Sequence, residues 1–454
     1  MIKQYHTKKH FRVNIITLKD NHPHEFGKFM MALKNLEDSD DWPRICGIHG
    51  NTFKPNDSGV LCPTDPKIVE KLAKTGEPVY CAHSVEPFIA WHVPYLYEFE
   101  QLLNLYNHSN DKEYITLPYF DISQQDNDYS FLNCQEIEIV YNNETIVIRN
   151  PLASAYYYPN GIKTQISRNG IVNATTKQDK IRLKTVRRQL YNTLHAKTYE
   201  EFSSQVVSLT KTYKPYGYVP LETPHNSIHD IIGGEGGNMS DISISAFDPI
   251  FWLHHCNMDR FFYNWLKKHT NSQHSNFSKN SLESTLAPFS KEPIFGWQNN
   301  MPNFLLLKDV LDLQQYPYMY FPIILHTIET KHAYIDIVDI PIPPESITIN
   351  AYLFPKNIQI TEDNKDDWYT GSVSWFGLNR ATTYCNRCEK VRTNLKIDIL
   401  DFVNEHHINQ TNIDDYEIFL EGKGKLIKNT NGEYRLYDKN EILQDGSVNI
   451  QLYL

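Results

Sequence analysis

The sequence has few cysteines, no excess of positive charge and no long apolar run. Its 454 residues include 7 cysteines, an odd number scattered along the chain, so we expect no disulfide framework. The formal net charge of −10 argues against nucleic acid or an anionic membrane as a partner, because both attract basic surfaces. No apolar stretch approaches the ~18 residues that a membrane span requires.

The first twenty residues are basic but lack the apolar core that is typical of a secretory signal. Together with the cysteine pattern, this favours a reducing, cytoplasmic location. Internal repeats and low-complexity tracts are absent from the sequence. Aromatic residues are abundant, with 29 tyrosines and 22 phenylalanines, and the chain is long enough for a large core in two or three domains.

Up to Phe321 the sequence carries mostly helical patterns. Apolar residues recur at helical spacing over residues 26–36, a second helix is predicted to begin with Pro94 in its first turn, and a third covers residues 185–213. Residues 136–150 alternate in polarity around two central asparagines, which predicts a β-hairpin.

After Phe321 the pattern changes to short alternating segments separated by Asn, Asp and Gly turns. This texture predicts an all-β, sandwich-like C-terminal domain behind a mainly α N-terminal domain. We place the first domain at residues 1–325, an extended linker at 326–346 and the second domain at 347–454.

Two adjacent histidines stand in the intensely apolar segment "DPIFWLHHCNMDRFFYNW". Asp248 and Pro249 are typical of a helix start, with Asp248 as the N-cap. The helix they open has a core-facing stripe with steps of three and four residues: Phe251, His255, Met258, Phe262 and Trp265. His255 therefore occupies a core position, with His254 about 100° further round the helix. A lone buried histidine would be an ordinary core residue, so the interpretation depends on its neighbours.

Other histidines recur at metal-binding spacing. His225 and His229 are four apart, which on a helix puts both rings on one face, although a surface pair would look the same. Upstream lie His49, His83 and His92. Two groups of three neutral imidazoles, without an obvious cysteine or carboxylate ligand, indicate copper. A zinc-protease motif would need Glu directly after the first histidine of the pair, and Glu-x-x-His motifs of di-iron proteins are also missing.

These motifs resemble the two copper-binding signatures of the tyrosinase and catechol oxidase family, and most closely its fungal-type enzymes. The resemblance rests on "CAHSVEPFIAWHVPYLYEFE" and "PHNSIHDIIGGEGGNMSDISISAFDPIFWLHHCNMDRFFYNW", and it covers roughly residues 40–320. It implies a helical bundle that holds two copper ions. His49, His83 and His92 would hold one ion, and His225, His229 and His255 the other. His254 and Asp248 would lie beside these ligands.

The resemblance also implies a chemistry. Dioxygen would be the co-substrate for hydroxylation of monophenols and oxidation of o-diphenols to o-quinones, with small tyrosine- or DOPA-like phenols as substrates. Glu222 and Asn226 would hold a water that deprotonates the phenol, whereas Glu222 could instead be a carboxylate at a helix start. Enzymes of this type with a Cys-x-His motif at this place form a thioether between the two side chains. The resemblance therefore implies a thioether between Cys81 and His83, and the alternative is that Cys81 is an inert buried thiol.

The C-terminal domain adds a second likeness, to fungal-type pro-tyrosinases. Phe376 stands nine positions before Cys385, which forms a Cys-x-x-Cys motif with Cys388. The resemblance implies that the Phe376 ring covers the copper pair and that the two thiols relay copper to it. The alternative is a core phenylalanine beside two buried thiols. We therefore predict a latent proenzyme, with an activating protease and a second copy in a homodimer as candidate protein partners.

Two other functions stay open at this point. A catechol or o-aminophenol oxidase would use the same residues without the hydroxylation step. An oxygen-binding protein of the haemocyanin type would use the same six ligands beneath a permanent lid, although Cys81 and the Glu222/Asn226 pair favour an enzyme.

Overall fold

The structure is a computed structural model, which describes residues 9–50, 83, 87–124, 128–157, 162–204, 219–269, 274–286, 289, 304, 306–323, 331–343, 345–376, 392–428 and 433–453. Three predicted site residues, Cys81, Cys385 and Cys388, lie outside this range.

Within the described residues the chain is helical first and β-rich later. The helices are α1 Ile15–Asn21, α2 Pro23–Glu37, α3 Asp41–Gly50, α4 Phe88–Leu105, α5 Pro151–Ser154, α6 Lys177–Thr193, α7 Tyr199–Phe202, α8 Glu222–Gly233, α9 Pro249–His269, α10 Lys279–Leu282, α11 Leu400–Glu405 and α12 Lys439–Leu443. The strands are β1 His10–Phe11, β2 Glu136–Tyr141, β3 Glu144–Arg149, β4 Tyr156–Tyr157, β5 Thr164–Gln165, β6 Tyr318–Met319, β7 His332–Pro341, β8 Ile347–Pro355, β9 Tyr369–Trp375, β10 Arg392–Asp398, β11 Tyr416–Lys428, β12 Tyr434–Tyr437 and β13 Ser447–Tyr453. None of these helices has the length and apolarity needed to cross a membrane.

Helices α4 and α9 pack against each other at the centre of the N-terminal domain. The Trp252 ring of α9 stacks on Phe99 of α4 at 3.8 Å between centroids and lies 4.6 Å from the Tyr95 ring. All three side chains are almost fully buried. Large aromatic rings bury much apolar surface in fixed geometry, so this contact sets how the two histidine-bearing helices face each other.

Two of the helix predictions need correction. Helix α4 begins at Phe88, so Pro94 lies inside the helix and removes one backbone hydrogen bond there; packing of the buried residues before it outweighs that loss. The predicted helix over residues 185–213 begins earlier, at Lys177, and ends at Thr193, with α7 following as a separate short helix. Residues 205–213 of that prediction lie outside the described range. Thr176 and Thr198 start these helices with capping boxes, a signal present in the sequence.

The predicted helix over residues 26–36 and the predicted hairpin are confirmed. Helix α2 covers the first, and strands β2 and β3 pair antiparallel with Ile137 opposite Ile148 and Ile139 opposite Ile146. The turn places Asn142 and Asn143 at positive φ, which asparagine tolerates better than most residues.

The C-terminal domain is a sandwich of two antiparallel sheets, as predicted. One sheet has the order β10-β7-β13 and the other β12-β11-β8-β9. Buried residues of both sheets form a single apolar cluster, which includes Ile335 and Ile337 from β7 together with Ile349 and Val373 from the second sheet. Strand β7, at the centre of its sheet, falls within the interval 326–346 that we expected to be a linker. The exact domain boundary stays a prediction.

A buried arginine ties the N-terminus to the helical core. Arg12 is fully buried, and its guanidinium donates to Glu100 at 2.8 Å, to Asp259 at 3.0 Å and to the Tyr320 hydroxyl at 3.0 Å. It also lies 3.4 Å from the centroid of the Tyr318 ring. A single cation thus joins α4, α9 and the tyrosine segment that ends the helical domain.

We expect Arg12→Met to destabilise the protein by about 3–5 kcal/mol, because two carboxylates would stay buried without their cation. The matched control is Lys19→Met, which removes an exposed ion pair with Asp20 and should stay within about 0.5 kcal/mol of the unaltered protein. Chemical denaturation measures both changes. Equal stability of the two variants would contradict the assigned role of Arg12.

Candidate metal centre

Two groups of histidines meet inside the helical domain. His49 comes from α3, His92 from α4 and His83 from the segment before it. Helices α8 and α9 supply the second group, His225, His229, His254 and His255. Within each group one ring nitrogen per residue lies within 4.8 Å of the others, an arrangement that could hold a metal ion.

Local structure explains why α8 can carry two of these rings. The four-residue step places His225 and His229 on one face, with ring centroids 4.6 Å apart. The helix ends at Gly233, and Gly234 follows with φ of +61°. A Cβ at Gly234 would meet the backbone of Asn169 at 2.5 Å, so this turn requires glycine.

Backbone carbonyls orient three of the rings. The Nδ1 atoms of His49, His92 and His229 lie 3.0, 2.8 and 2.9 Å from the carbonyl oxygens of Ile242, Phe88 and Met239. A carbonyl accepts only from a protonated nitrogen, so Nδ1 carries the proton and Nε2 keeps its lone pair. This is the outer contact that metal-binding histidines usually make.

The lone pairs of the second group converge. The Nε2 atom of His255 lies 3.3 Å from Nε2 of His225 and 3.2 Å from Nε2 of His229. The Nδ1 atom of His225 is 2.9 Å from the Asn226 amide oxygen, which fixes its proton on the far side of the ring. These Nε2 atoms converge while the Nδ1 protons of His225 and His229 point away from them, so this donor set fits a metal ion.

The first group gives a second indication that a metal fits. The Nε2 atom of His49 is buried and has no hydrogen-bond partner among the described residues. A buried polar atom without a partner costs about 1–3 kcal/mol. Coordination would remove that cost, and a neutral set of nitrogen donors suits copper.

The two groups face each other across a short distance. The His92 and His255 rings stack at 4.2 Å between centroids, and the His83 and His225 rings are 5.5 Å apart. Rings that belong to different groups are therefore as close as rings within one group. Ions held by the two groups would be neighbours.

Burial keeps every histidine of both groups neutral. Loss of hydration lowers the pKa values of His92 and His229 to about 3. The pKa values of the remaining histidines are lowered well below their ordinary value, again first by burial and then by neighbouring imidazoles. Neutral rings offer lone pairs to a metal at neutral pH, which protonated rings could not do.

His254 lies closer to the second group than the sequence indicated. Its ring centroid is 5.1 Å from His225, 4.9 Å from His229 and 5.1 Å from His255. The predicted ligand set of three is therefore embedded in a group of four. The choice of His255 over His254 stays a prediction, supported by the convergence of three Nε2 atoms.

Asp248 holds the start of α9, as predicted. Its carboxylate accepts the Ile250 backbone N–H at 2.9 Å. Arg168, from a distant segment, binds the same carboxylate through two nitrogens, each at 2.7 Å. Sequence reasoning missed this arginine because nothing in the local sequence around it indicates a partner eighty residues away.

Glu222 is the first residue of α8 and is fully buried. It therefore stands at a helix start, the alternative considered for it, three residues before His225. Its role as a base stays a prediction.

Phe376 reaches the histidines from the C-terminal domain. It follows strand β9, is buried, and its ring stacks on His229 at 4.2 Å between centroids. The same ring lies 5.3 Å from His83 and 6.3 Å from His225, so it touches both groups.

A helical domain with two facing groups of buried, neutral histidines defines a protein that can hold a pair of metal ions. The sequence profile described as the common central domain of tyrosinase matches residues 39–268. The chain belongs to the tyrosinase family, whose members are dicopper proteins, and its histidine groups fit copper sites.

Individual proteins that are similar to this chain include tyrosinases and a haemocyanin. A tyrosinase of Neurospora crassa is 28% identical over an alignment 354 residues long, which covers 67% of this chain and 51% of that protein. The chain spans about half the length of the Neurospora and Podospora tyrosinases that it matches. A recombinant mushroom tyrosinase has the same fold, with a TM-score of 0.66, 17% identity and coverage of 96% of this chain and 99% of that one. A deoxygenated haemocyanin from Rapana thomasiana is as similar, with a TM-score of 0.67, 17% identity and coverage of 98% and 99%.

We expect the purified protein to bind two copper ions per chain and His255→Asn to bind about one, because that change removes a nitrogen on which two others converge. Metal analysis after dialysis measures the stoichiometry. Copper at a thousandfold its dissociation constant should stabilise the unaltered protein by about 4 kcal/mol per site. His108→Asn, a change at an exposed histidine, is the control and should leave both ions bound. An unchanged count in His255→Asn would contradict the ligand assignment.

Proposed function

We propose that the protein is a latent copper-dependent phenol oxidase of the tyrosinase type, which hydroxylates monophenols and oxidises o-diphenols to o-quinones. Its C-terminal domain keeps the site closed. The observation that carries this proposal is the Phe376 ring seated against histidines of both groups. An oxidase acting on phenols would receive an aromatic ring at the same place.

The six predicted ligands form two sets of three, one set for each ion. His49, His83 and His92 would hold one copper, and His225, His229 and His255 the other. When bound, such a pair supplies the electrons for reduction of dioxygen, coupled to oxidation of the phenol. The chain contributes neutral donors, which add no negative charge, and a dry apolar surround in which Phe88 and Phe251 pack against the rings. Exclusion of water protects the site from side reactions.

Glu222 is the proposed general base, acting through a water that it shares with Asn226. A phenol has a pKa near 10 and is mostly protonated at neutral pH, so its proton has to move to an acceptor before the oxygen can bind metal. The buried carboxylate of Glu222 can take that proton. The Asn226 oxygen accepts from His225, and the amide N–H₂ of Asn226 is the group that would donate to the water.

Glu222→Gln should lower the rate of monophenol hydroxylation by about 100-fold or more, since an amide cannot accept the proton. Oxidation of an o-diphenol should fall less, because its hydroxyl is more acidic. Oxygen uptake with tyrosine and with DOPA gives the two rates, and copper analysis of the same samples confirms an intact site. An equal loss on both substrates would count against the base and favour a structural role at the helix start.

The proposed latency follows from shape. The Phe376 ring is nearly parallel to the His229 ring, at an angle of 17°, which is the pose that a bound phenol would take against an imidazole. While this side chain stays in place, a substrate ring has no room beside His229. Cleavage or loosening of the chain between the domains, by an activating protease, would free the site.

Phe376→Ala should raise phenol oxidation by the uncleaved, copper-loaded protein at least tenfold, because removing the ring opens the substrate position. Phe354→Ala is the matched control, since that buried ring belongs to the same sandwich and has no ring contact with the described histidines. Oxygen uptake before and after limited proteolysis measures the effect. We call the Phe376 side chain, which fills the proposed substrate position, the plug. If Phe376→Ala with full copper content oxidised phenols no faster than the unaltered protein, this role would be contradicted.

Two further proposals concern cysteines that lie outside the described range. Cys81 would form a thioether with His83 and fix that ring, and Cys385 with Cys388 would carry copper to the site. Two soft thiolates suit Cu(I).

The second candidate is an oxygen carrier, favoured by the similarity in fold to a haemocyanin. Fold similarity at 17% identity does not separate the two functions, because both classes of protein share the architecture. Reversible oxygenation without turnover of tyrosine or DOPA, in intact and cleaved protein alike, would establish the carrier. Turnover of DOPA but not of tyrosine would establish a catechol or o-aminophenol oxidase.

A further inference from the structure

The two domains meet along a surface of complementary charge. Helix α6, in the helical domain, is rich in Lys and Arg and faces carboxylates of the sandwich. The contacts across this surface run from Gln178 to Asp366 at 2.9 Å, from Lys184 to Asp401 at 2.7 Å and from Lys177 to Glu405 at 3.7 Å. These side chains are largely exposed, so each pair contributes little by itself.

Arg188 makes the strongest contact of this surface. Its guanidinium binds both carboxylate oxygens of Asp398, each at 2.7 Å, and donates to Asp401 at 2.8 Å. Arg188 and Asp398 are 9% and 3% exposed. A bidentate, buried arginine–carboxylate pair is stronger and more directional than an exposed pair, and it fixes the orientation of both side chains.

Asp230 forms a second contact, deeper in the interface. This carboxylate of α8 forms an ion pair with Lys425 at 2.9 Å and accepts from the Thr348 hydroxyl at 2.5 Å and from the Ser374 hydroxyl at 3.2 Å, all from the sandwich. Arg182 of α6 binds it at 2.7 Å from its own domain. One carboxylate of the helical domain therefore contacts three polar side chains from strands of the other domain.

The Asp230 contact is linked directly to the plug. Ser374 is the second-last residue of β9, and Phe376 directly follows the last residue of that strand. Asp230 follows His229, the ring on which Phe376 stacks. The hydrogen bond from Ser374 to Asp230 therefore holds the end of the strand that precedes the Phe376 ring.

We propose that Arg188 and Asp230 form a docking surface that keeps the C-terminal domain bound as a separate, non-covalent partner after the chain between the domains is cut. Cleavage alone then leaves Phe376 in place, and opening of the site requires a second event that separates these charges. The regulatory meaning of this docking rests on the proposed function, whereas the docking itself can be measured without copper or substrate.

The experiment uses the full chain with a specific protease sequence inserted between Ile324 and Thr330. After cleavage, gel filtration at about physiological salt should show both fragments in one peak. Arg188→Met and Lys425→Met should each weaken the association on the order of 100-fold, because the first leaves Asp398 in the interface without its cation and the second removes the cation that the sandwich supplies to Asp230. Dilution series of the cleaved proteins give the dissociation constants.

Lys396→Met is the matched control. Lys396 is 11% exposed, close to the 9% of Lys425, and its ion pair with Asp336 lies wholly within the sandwich. This variant should bind as tightly as the unaltered protein. Thr348→Val, which removes only a hydroxyl, is a milder second test and should weaken the association about tenfold.

Two results would overturn the docking surface. The first is separation of the unaltered fragments immediately on cleavage; the second is equal retention in Arg188→Met, Lys425→Met and Lys396→Met. Retained fragments without any phenol oxidation, even in Phe376→Ala, would refute the proposed function and leave the docking standing. Phenol oxidation by cleaved protein whose fragments have separated would refute the docking surface and leave the proposed function standing.

Discussion

The structure depends on seven neutral imidazoles that are gathered inside the helical domain, six of them buried and His83 partly buried. Such a cluster is costly in the absence of a cation, because burial keeps water from ring nitrogens such as the Nε2 of His49, which has no hydrogen-bond partner among the described residues. The chain keeps the rings in place with backbone carbonyls and with aromatic packing. The same features that make the cluster unfavourable when empty make it a rigid, preorganised receptor for metal.

Helix α8 connects this cluster with the second domain. On one side it carries His225 and His229, and through Asp230 it binds strands of the sandwich. The Phe376 ring arrives at His229 from the same strand that contacts Asp230. Ion pairs and hydrogen bonds therefore hold the sandwich in a fixed position relative to the metal centre. Closure of the site depends on this interface as well as on the Phe376 ring.

Much of this could be predicted from the sequence. The change from helical to alternating patterns at Phe321 separated the two fold types, and the turn at Asn142-Asn143 fixed one hairpin. Helix limits were less certain: Pro94 indicated a start, yet the apolar segment before it folds into the same helix because burial outweighs one lost hydrogen bond. The capping boxes at Thr176 and Thr198 were readable and would have divided the third helix correctly.

The sequence by itself determined which residues could bind metal, since residue type and four-residue spacing are local properties of the chain. It also determined that Phe376 was the candidate plug, through resemblance. Only the tertiary structure decided that the two histidine groups face each other, that His254 lies among the second group, and that Arg168, Arg188 and Asp230 have partners in distant segments. Such contacts depend on how whole elements pack, and side chains eighty or two hundred residues apart leave no mark on each other's local sequence.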